Sequence, residues 1–136
     1  MTGDGDLQIT FRPRPEALAE VRRELRAWLD RHTPPEIVDE LVLAADELCA
    51  NAVDAAPHGG AIQLDVRCDG SAVHLAVSNA GNAETDLSRT EEGSGAEDPL
   101  ADRGRGLTIV RAFTDSLAIV NVDGRTVARA VRLLPT

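Results

Sequence analysis

Glu47 and Asn51 stand four positions apart in a stretch of helical periodicity, so a carboxylate and an amide share one helix face, one turn apart. Asn79-Ala80-Gly81 comes directly after an alternating strand pattern, where a glycine lets backbone approach a flat ligand closely. Gly104-Arg105-Gly106 opens a further periodic stretch, and the free backbone N–H groups at such a helix start, helped by the helix dipole, suit phosphate oxygens. Each feature alone also has a bland reading. An acidic and an amide residue at that spacing usually form a solvated helix face, Asn-Ala-Gly is simply a turn, and a lone Gly-x-Gly is common.

The elements that must position these residues follow from periodicity. Leu7, Ile9 and Phe11 alternate with polar residues as a short strand closed by Pro13 and Pro15. Leu18, Val21, Leu25, Trp28 and Leu29 recur at helical steps, and that helix stops between Asp30 and Thr33. Thr33-Pro34-Pro35-Glu36 is a start signal, with Thr33 as the cap of a T-x-x-E box. Ile37, Leu41, Ala44, Leu48, Ala52 and Ala55 form the buried stripe of the second helix, which Pro57, Gly59 and Gly60 end. Glu47 and Asn51 lie beside that stripe. Ile62–Val66 and Val73–Val77 form a hairpin about Cys68-Asp69-Gly70-Ser71, and residues 117–122 and 126–134 form another about Asp123-Gly124. Leu107, Val110 and Phe113 mark a short helix before the last hairpin. The expected architecture is a single α+β domain over residues 1–136. It is a two-layer sandwich in which a mostly antiparallel sheet of about five strands is covered on one face by three helices. Residues 82–103, acidic and without periodicity, read as a mobile loop, either a functional lid or a disordered insertion.

Composition excludes several functions. The 136 residues carry 23 acidic against 14 basic side chains, a net charge of −9, the wrong sign for counterion-release binding to nucleic acid. All the basic residues are arginine, so neither a P-loop lysine nor the strand lysine of eukaryotic-type protein kinases is present. Cys49 and Cys68 lack metal-ligand spacing and read as small buried hydrophobes in a reducing compartment. The histidines are scattered and read as structural, and Trp28 and Phe113 as core. The segment Met1–Asp6 is acidic with no signal pattern, and no apolar run approaches the roughly 20 residues of a membrane span, so the expectation is a cytoplasmic protein without membrane contact.

The order of the three features is what makes them specific. A helix carrying Glu-x-x-x-Asn, a strand followed by Asn-x-Gly, an acidic loop and then Gly-x-Gly-Leu opening a helix resembles the GHKL ATPase superfamily of gyrases, heat-shock chaperones, histidine kinases and mismatch-repair proteins. Within it, almost the whole chain is similar to the small bacterial anti-sigma factor serine kinases. Their first motif, approximately E-L-x-x-N-A-x-x-H, is matched by Glu47-Leu48-Cys49-Ala50-Asn51-Ala52, with Ala55 where the motif has His. The resemblance makes Glu47 the catalytic base and Asn51 the ligand of Mg²⁺ and ATP. The second motif, D-x-G-x-G, appears as Asn79-Ala80-Gly81-Asn82-Ala83. Here Asn79 takes the adenine-binding position with an acceptor oxygen and an added NH₂ donor, Gly81 is kept, and Ala83 replaces the second glycine. The third, G-x-G-L, is matched in full by Gly104-Arg105-Gly106-Leu107, and Thr108 adds a hydroxyl. Without lysine, triphosphate charge falls to those backbone amides, magnesium and an arginine, Arg105 first and Arg103 second.

The function implied is an ATP-binding regulator, a protein serine/threonine kinase that sequesters a sigma factor and phosphorylates a serine on an anti-sigma factor antagonist, commonly as a homodimer. The alternatives are a binding module of the same fold that has lost phosphotransfer, or a detached histidine-kinase-type catalytic domain.

Overall fold

The computed structural model describes residues 6–55, 60–79, 104–122 and 125–134. Eight elements follow in the order β1 (Asp6–Phe11), α1 (Pro15–His32), α2 (Pro35–Ala55), β2 (Ile62–Cys68), β3 (Ala72–Asn79), α3 (Gly104–Phe113), β4 (Ser116–Val122) and β5 (Arg125–Leu133). The five strands make one sheet in the order β1-β2-β3-β5-β4, with every neighbouring pair antiparallel. The expected loop at 82–103, Pro57 and Gly59 after α2, and the Asp123-Gly124 turn lie outside the described residues.

Alternation along the strands gives the sheet two unlike faces. Register aligns Ile9 with Leu64 and Val77, and Leu7 with Val66 and Leu75, on the side that the helices cover. Leu29, Leu41, Ile62 and Leu64 have no exposed surface, and each adds about 1.5–3 kcal/mol of apolar burial before entropy is counted. α1 packs on β1 and on α2, α2 over β2 and β3, and α3 against α2 and β4. Gln8, Gln63, Asp65, Arg67 and His74 occupy the opposite, open face, where both amides donate to Asp65. Arg22 and Arg26 on α1 pair with Asp46 and Asp39 on α2 at 2.9 and 2.6 Å, exposed contacts worth little individually.

Thr33 corrects the expected capping box. Its hydroxyl donates to the Leu29 carbonyl at 2.9 Å and its N–H to the same oxygen at 2.8 Å, so it closes α1 instead of capping α2. The two helices are separated only by Thr33 and Pro34, and the Thr33 hydroxyl gives its proton to α1. The carbonyls at the end of α1 are orphans that need a donor, while Pro34 and Pro35 bring no N–H to be capped.

The β2–β3 turn is held by a carboxylate. Asp69 accepts from the Ser71 and Ala72 N–H groups, both at 2.9 Å, and from the Ser71 hydroxyl, while Gly70 takes the positive φ of 92° that a side chain would strain. These donors, Ser71 first and His74 last, hold the Asp69 carboxyl well below the usual carboxylate range. A depressed folded-state pKa gives stability that is complete above the unfolded value, near 3.9, and is lost as pH falls below it. The unaltered protein should therefore exceed Asp69→Asn in urea midpoint at pH 7, and the gap should narrow by pH 3. A gap independent of pH would mean that the turn does not depend on the charge.

Candidate functional site

α2 lays its apolar stripe on the sheet and turns Glu47 and Asn51 to one side, toward the C-terminal half of the helix. Asn51 is only 8% exposed, and its Nδ2 is buried with no hydrogen-bond partner. An amide N–H₂ buried without a partner costs free energy; Trp28 Nε1 in the core is in the same state, but the Asn51 amide lies one turn from Glu47. Glu47, one turn earlier, is half-buried. Burial, and then the like charge of Asp46, raise its carboxyl above the ordinary value, which brings a base closer to neutral pH. Cys49 between them is fully buried and its thiol is pushed up to about 12, first by burial, so it belongs to the core and to no chemistry.

Asn79 is the last residue of β3, two positions beyond Val77, and therefore lies on the helix-covered side of the sheet. It pairs in register with Thr126 near the start of β5. Thr126 was not singled out from the sequence, although the alternation of Thr126, Ala128 and Ala130 along β5 carries the signal. α3 begins at Gly104, so Gly104-Arg105-Gly106 forms its first turn and its leading N–H groups have no intrahelical acceptor. Leu107 is buried and anchors that turn, while Thr108 is exposed. Gly81 and Arg103, and the side chain of Arg105, lie outside the described residues.

Arg132 fixes the directions of these elements. Its Nη1 donates to Glu40, early in α2, and to the carbonyl of Phe113, the last residue of α3, both at 2.8 Å. The packed helices α2 and α3 therefore run in opposite directions, and the far half of α2 with Asn51 lies beside the start of α3 with its glycines. The end of β3 with Asn79 lies at that same end of the sheet, since Arg132 and Thr126 occupy opposite ends of β5. An anion set there meets helix N–H groups on one side and a side-chain amide with an adjacent carboxylate on the other. A groove of about 570 Å³ lined by Asp6, Gln8, Asp65, Arg67, His74 and Arg129 lies on the opposite, open face of the sheet and has no part in this arrangement.

The chain matches the family described as histidine kinase-like ATPase domain over residues 11–132. No curated protein matches it. Among solved structures, the RsbU and RsbW domains of Rv1364c from Mycobacterium tuberculosis align with a TM-score of 0.67 at 22% identity, over 96% of this chain and 33% of that one. The chain thus spans about a third of the length of that structure, and the likeness is one of fold.

Proposed function

We propose that this chain, which belongs to the histidine kinase-like ATPase domain family, binds Mg-ATP between α2 and α3 and transfers its terminal phosphoryl group to a serine of an anti-sigma factor antagonist. The observation that carries the reading is the buried, unpartnered Nδ2 of Asn51, a donor suited to a phosphate oxygen, beside a helix that opens with Gly-x-Gly. The donor set fits magnesium, which takes oxygen ligands and keeps waters and substrate phosphates, so one amide oxygen is enough of an anchor. No group of three His, Cys, Asp or Glu side chains among the described residues offers a cage of its own. Bound there, the ion would neutralise charge on the phosphate oxygens.

The residues of the chain divide the remaining work. Asn79 presents an acceptor and a donor to the adenine edge. The amides of Gly104, Arg105 and Gly106 face the phosphates, and Leu107 seats their helix turn in the core. Thr108 and Arg105 add a hydroxyl and a cation to the same end. Glu47 accepts the proton of the incoming serine hydroxyl as its oxygen bonds to the terminal phosphorus and the bond to the bridging oxygen breaks, leaving ADP. The same chain, acting as a homodimer, would also sequester a sigma factor.

Incubation with labelled Mg-ATP and a candidate antagonist tests the proposal. Acid-stable label on a serine is the expected result. Binding of the antagonist without transfer would leave a binding module, the outcome toward which Asn79 and Ala83, in place of the family's Asp and Gly, point. Acid-labile label on a partner histidine would identify a histidine-kinase-type catalytic domain.

A further inference from the structure

Nothing in the nucleotide chemistry calls on the other end of the α2–α3 pair, yet an arginine there joins three elements of the fold. Arg132 sits in β5 opposite Val73, on the helix-covered face, where its neighbours along the strand are Ala130 and Ala128. One guanidinium nitrogen reaches Glu40 Oε1 on α2 and the Phe113 carbonyl of α3, both at 2.8 Å. Those partners are 92 and 19 residues away in sequence, so a single side chain ties together the sheet and both helices of the site. The exit of α3 is fastened at the same place. The Thr114 hydroxyl donates to the Val110 carbonyl at 2.7 Å, and Asp115 exchanges bonds with Val131 and Leu133 of β5 at 2.6 and 2.7 Å.

We propose that Arg132 is a positioning residue for the nucleotide site, setting the spacing of α2 and α3 from the end opposite to the one at which the ligand binds. The inference rests on the Mg-ATP reading. Glu40 to Asn51 spans eleven residues and Phe113 back to Gly104 spans nine. At 1.5 Å per residue these are arms of about 16 Å and about 14 Å. A bridge across one end of two arms of similar length fixes the gap between the other two ends, where Asn51 and the Gly104 amides must meet one ligand. The contribution is geometric more than energetic. With its side chain 21% exposed and that of Glu40 40% exposed, the ion pair adds little net stability, whereas a carbonyl and a carboxylate held by the same nitrogen restrict sliding between the two helices. The cation also lies at the C-terminus of α3, where the helix dipole favours it.

Arg132→Met keeps the length and the apolar stem and removes the donors, while Arg132→Lys keeps a cation able to reach both oxygens. Calorimetric titration with Mg-ATP, at a temperature where each variant is fully folded, should show affinity about tenfold weaker in R132M and recovered to within about threefold of the unaltered protein in R132K. Amide exchange at Leu107–Phe113 should be faster in R132M without nucleotide. An affinity in R132M within about twofold of the unaltered protein, with only its melting temperature lowered, would overturn the inference. So would an R132K as weak as R132M. If R132M does not fold, Glu40→Ala is read instead, because it removes only the α2 half of the bridge at a half-exposed helix position. A loss of about threefold supports the inference and unchanged affinity overturns it. Failure of the unaltered chain itself to bind Mg-ATP refutes the nucleotide reading and this inference with it, whereas binding by both proteins alike refutes this inference alone.

Discussion

Asn51→Ala should leave the ligand-free protein about as stable as the unaltered chain and remove its magnesium-dependent stabilisation by ATP. The first half follows from an orphan. The amide Nδ2 is buried without a partner, so the substitution breaks no hydrogen bond that the nitrogen makes and relieves a desolvation cost of about 1–3 kcal/mol. Alanine is also the better helix former at an interior position of α2. The second half follows from linkage. Mg-ATP at about 100 times its dissociation constant should stabilise the unaltered protein by roughly 2.7 kcal/mol, a rise of roughly 10 °C in melting temperature for a chain of this size. In N51A the shift with Mg-ATP should shrink to whatever ATP gives with EDTA present. A variant that melts at the same temperature when free yet keeps the full magnesium-dependent shift would show that the ion is held elsewhere. A variant that is several kcal/mol less stable when free would show that Asn51 is a core residue and not a reserved ligand.

That pairing of a stability cost with a binding gain was half-visible in the sequence. The Glu-x-x-x-Asn spacing puts both groups on one helix face whatever the tertiary fold, because the 3.6-residue period is local. What it cannot say is that the amide nitrogen is buried and unsatisfied, since that depends on what the tertiary fold packs around α2. The hairpins were equally legible: Asp69-Gly70 specifies its own turn through side-chain bonds within three residues. Sheet order was not. Alternation marks both residues 117–122 and 126–134 as strands, but β5, not β4, docks beside β3, and that choice is made by contacts between segments about fifty residues apart. Thr33 was misread for a related reason. A hydroxyl between two abutting helices matches the signature of a cap for either, and only the position of the Leu29 carbonyl decides. The bridge through Arg132 left no local trace, since its meaning lies in partners 92 and 19 residues away.

Glu47→Gln should abolish most of the phosphotransfer while sparing nucleotide binding. Gln preserves shape and the ability to accept a hydrogen bond but cannot take up the serine proton. A positioned base contributes about 10²- to 10⁴-fold, so the rate of serine labelling should fall by about that factor. Mg-ATP affinity should hold or improve, because a negative charge leaves the neighbourhood of the phosphates. The pH dependence tests the assignment more sharply than the rate. Burial first and Asp46 second raise the Glu47 carboxyl, so the basic form needed for transfer is lost, as pH falls, at higher values than the usual glutamate pKa of about 4.3. Asp46→Asn removes the like charge and frees Arg22, which now pairs with Asp46 at 2.9 Å. Both changes favour the ionised Glu47, so the acid limb of the rate profile should move to lower pH in that variant. The sign also carries to stability. A carboxyl whose pKa is raised on folding is favourable when protonated and loses that advantage as pH rises, so E47Q should be at least as stable as the unaltered protein at neutral pH. The proton-acceptor role fails if E47Q transfers phosphate within about threefold of the unaltered rate, far from the factor expected of a base. It fails equally if Asp46→Asn leaves the acid limb where it was.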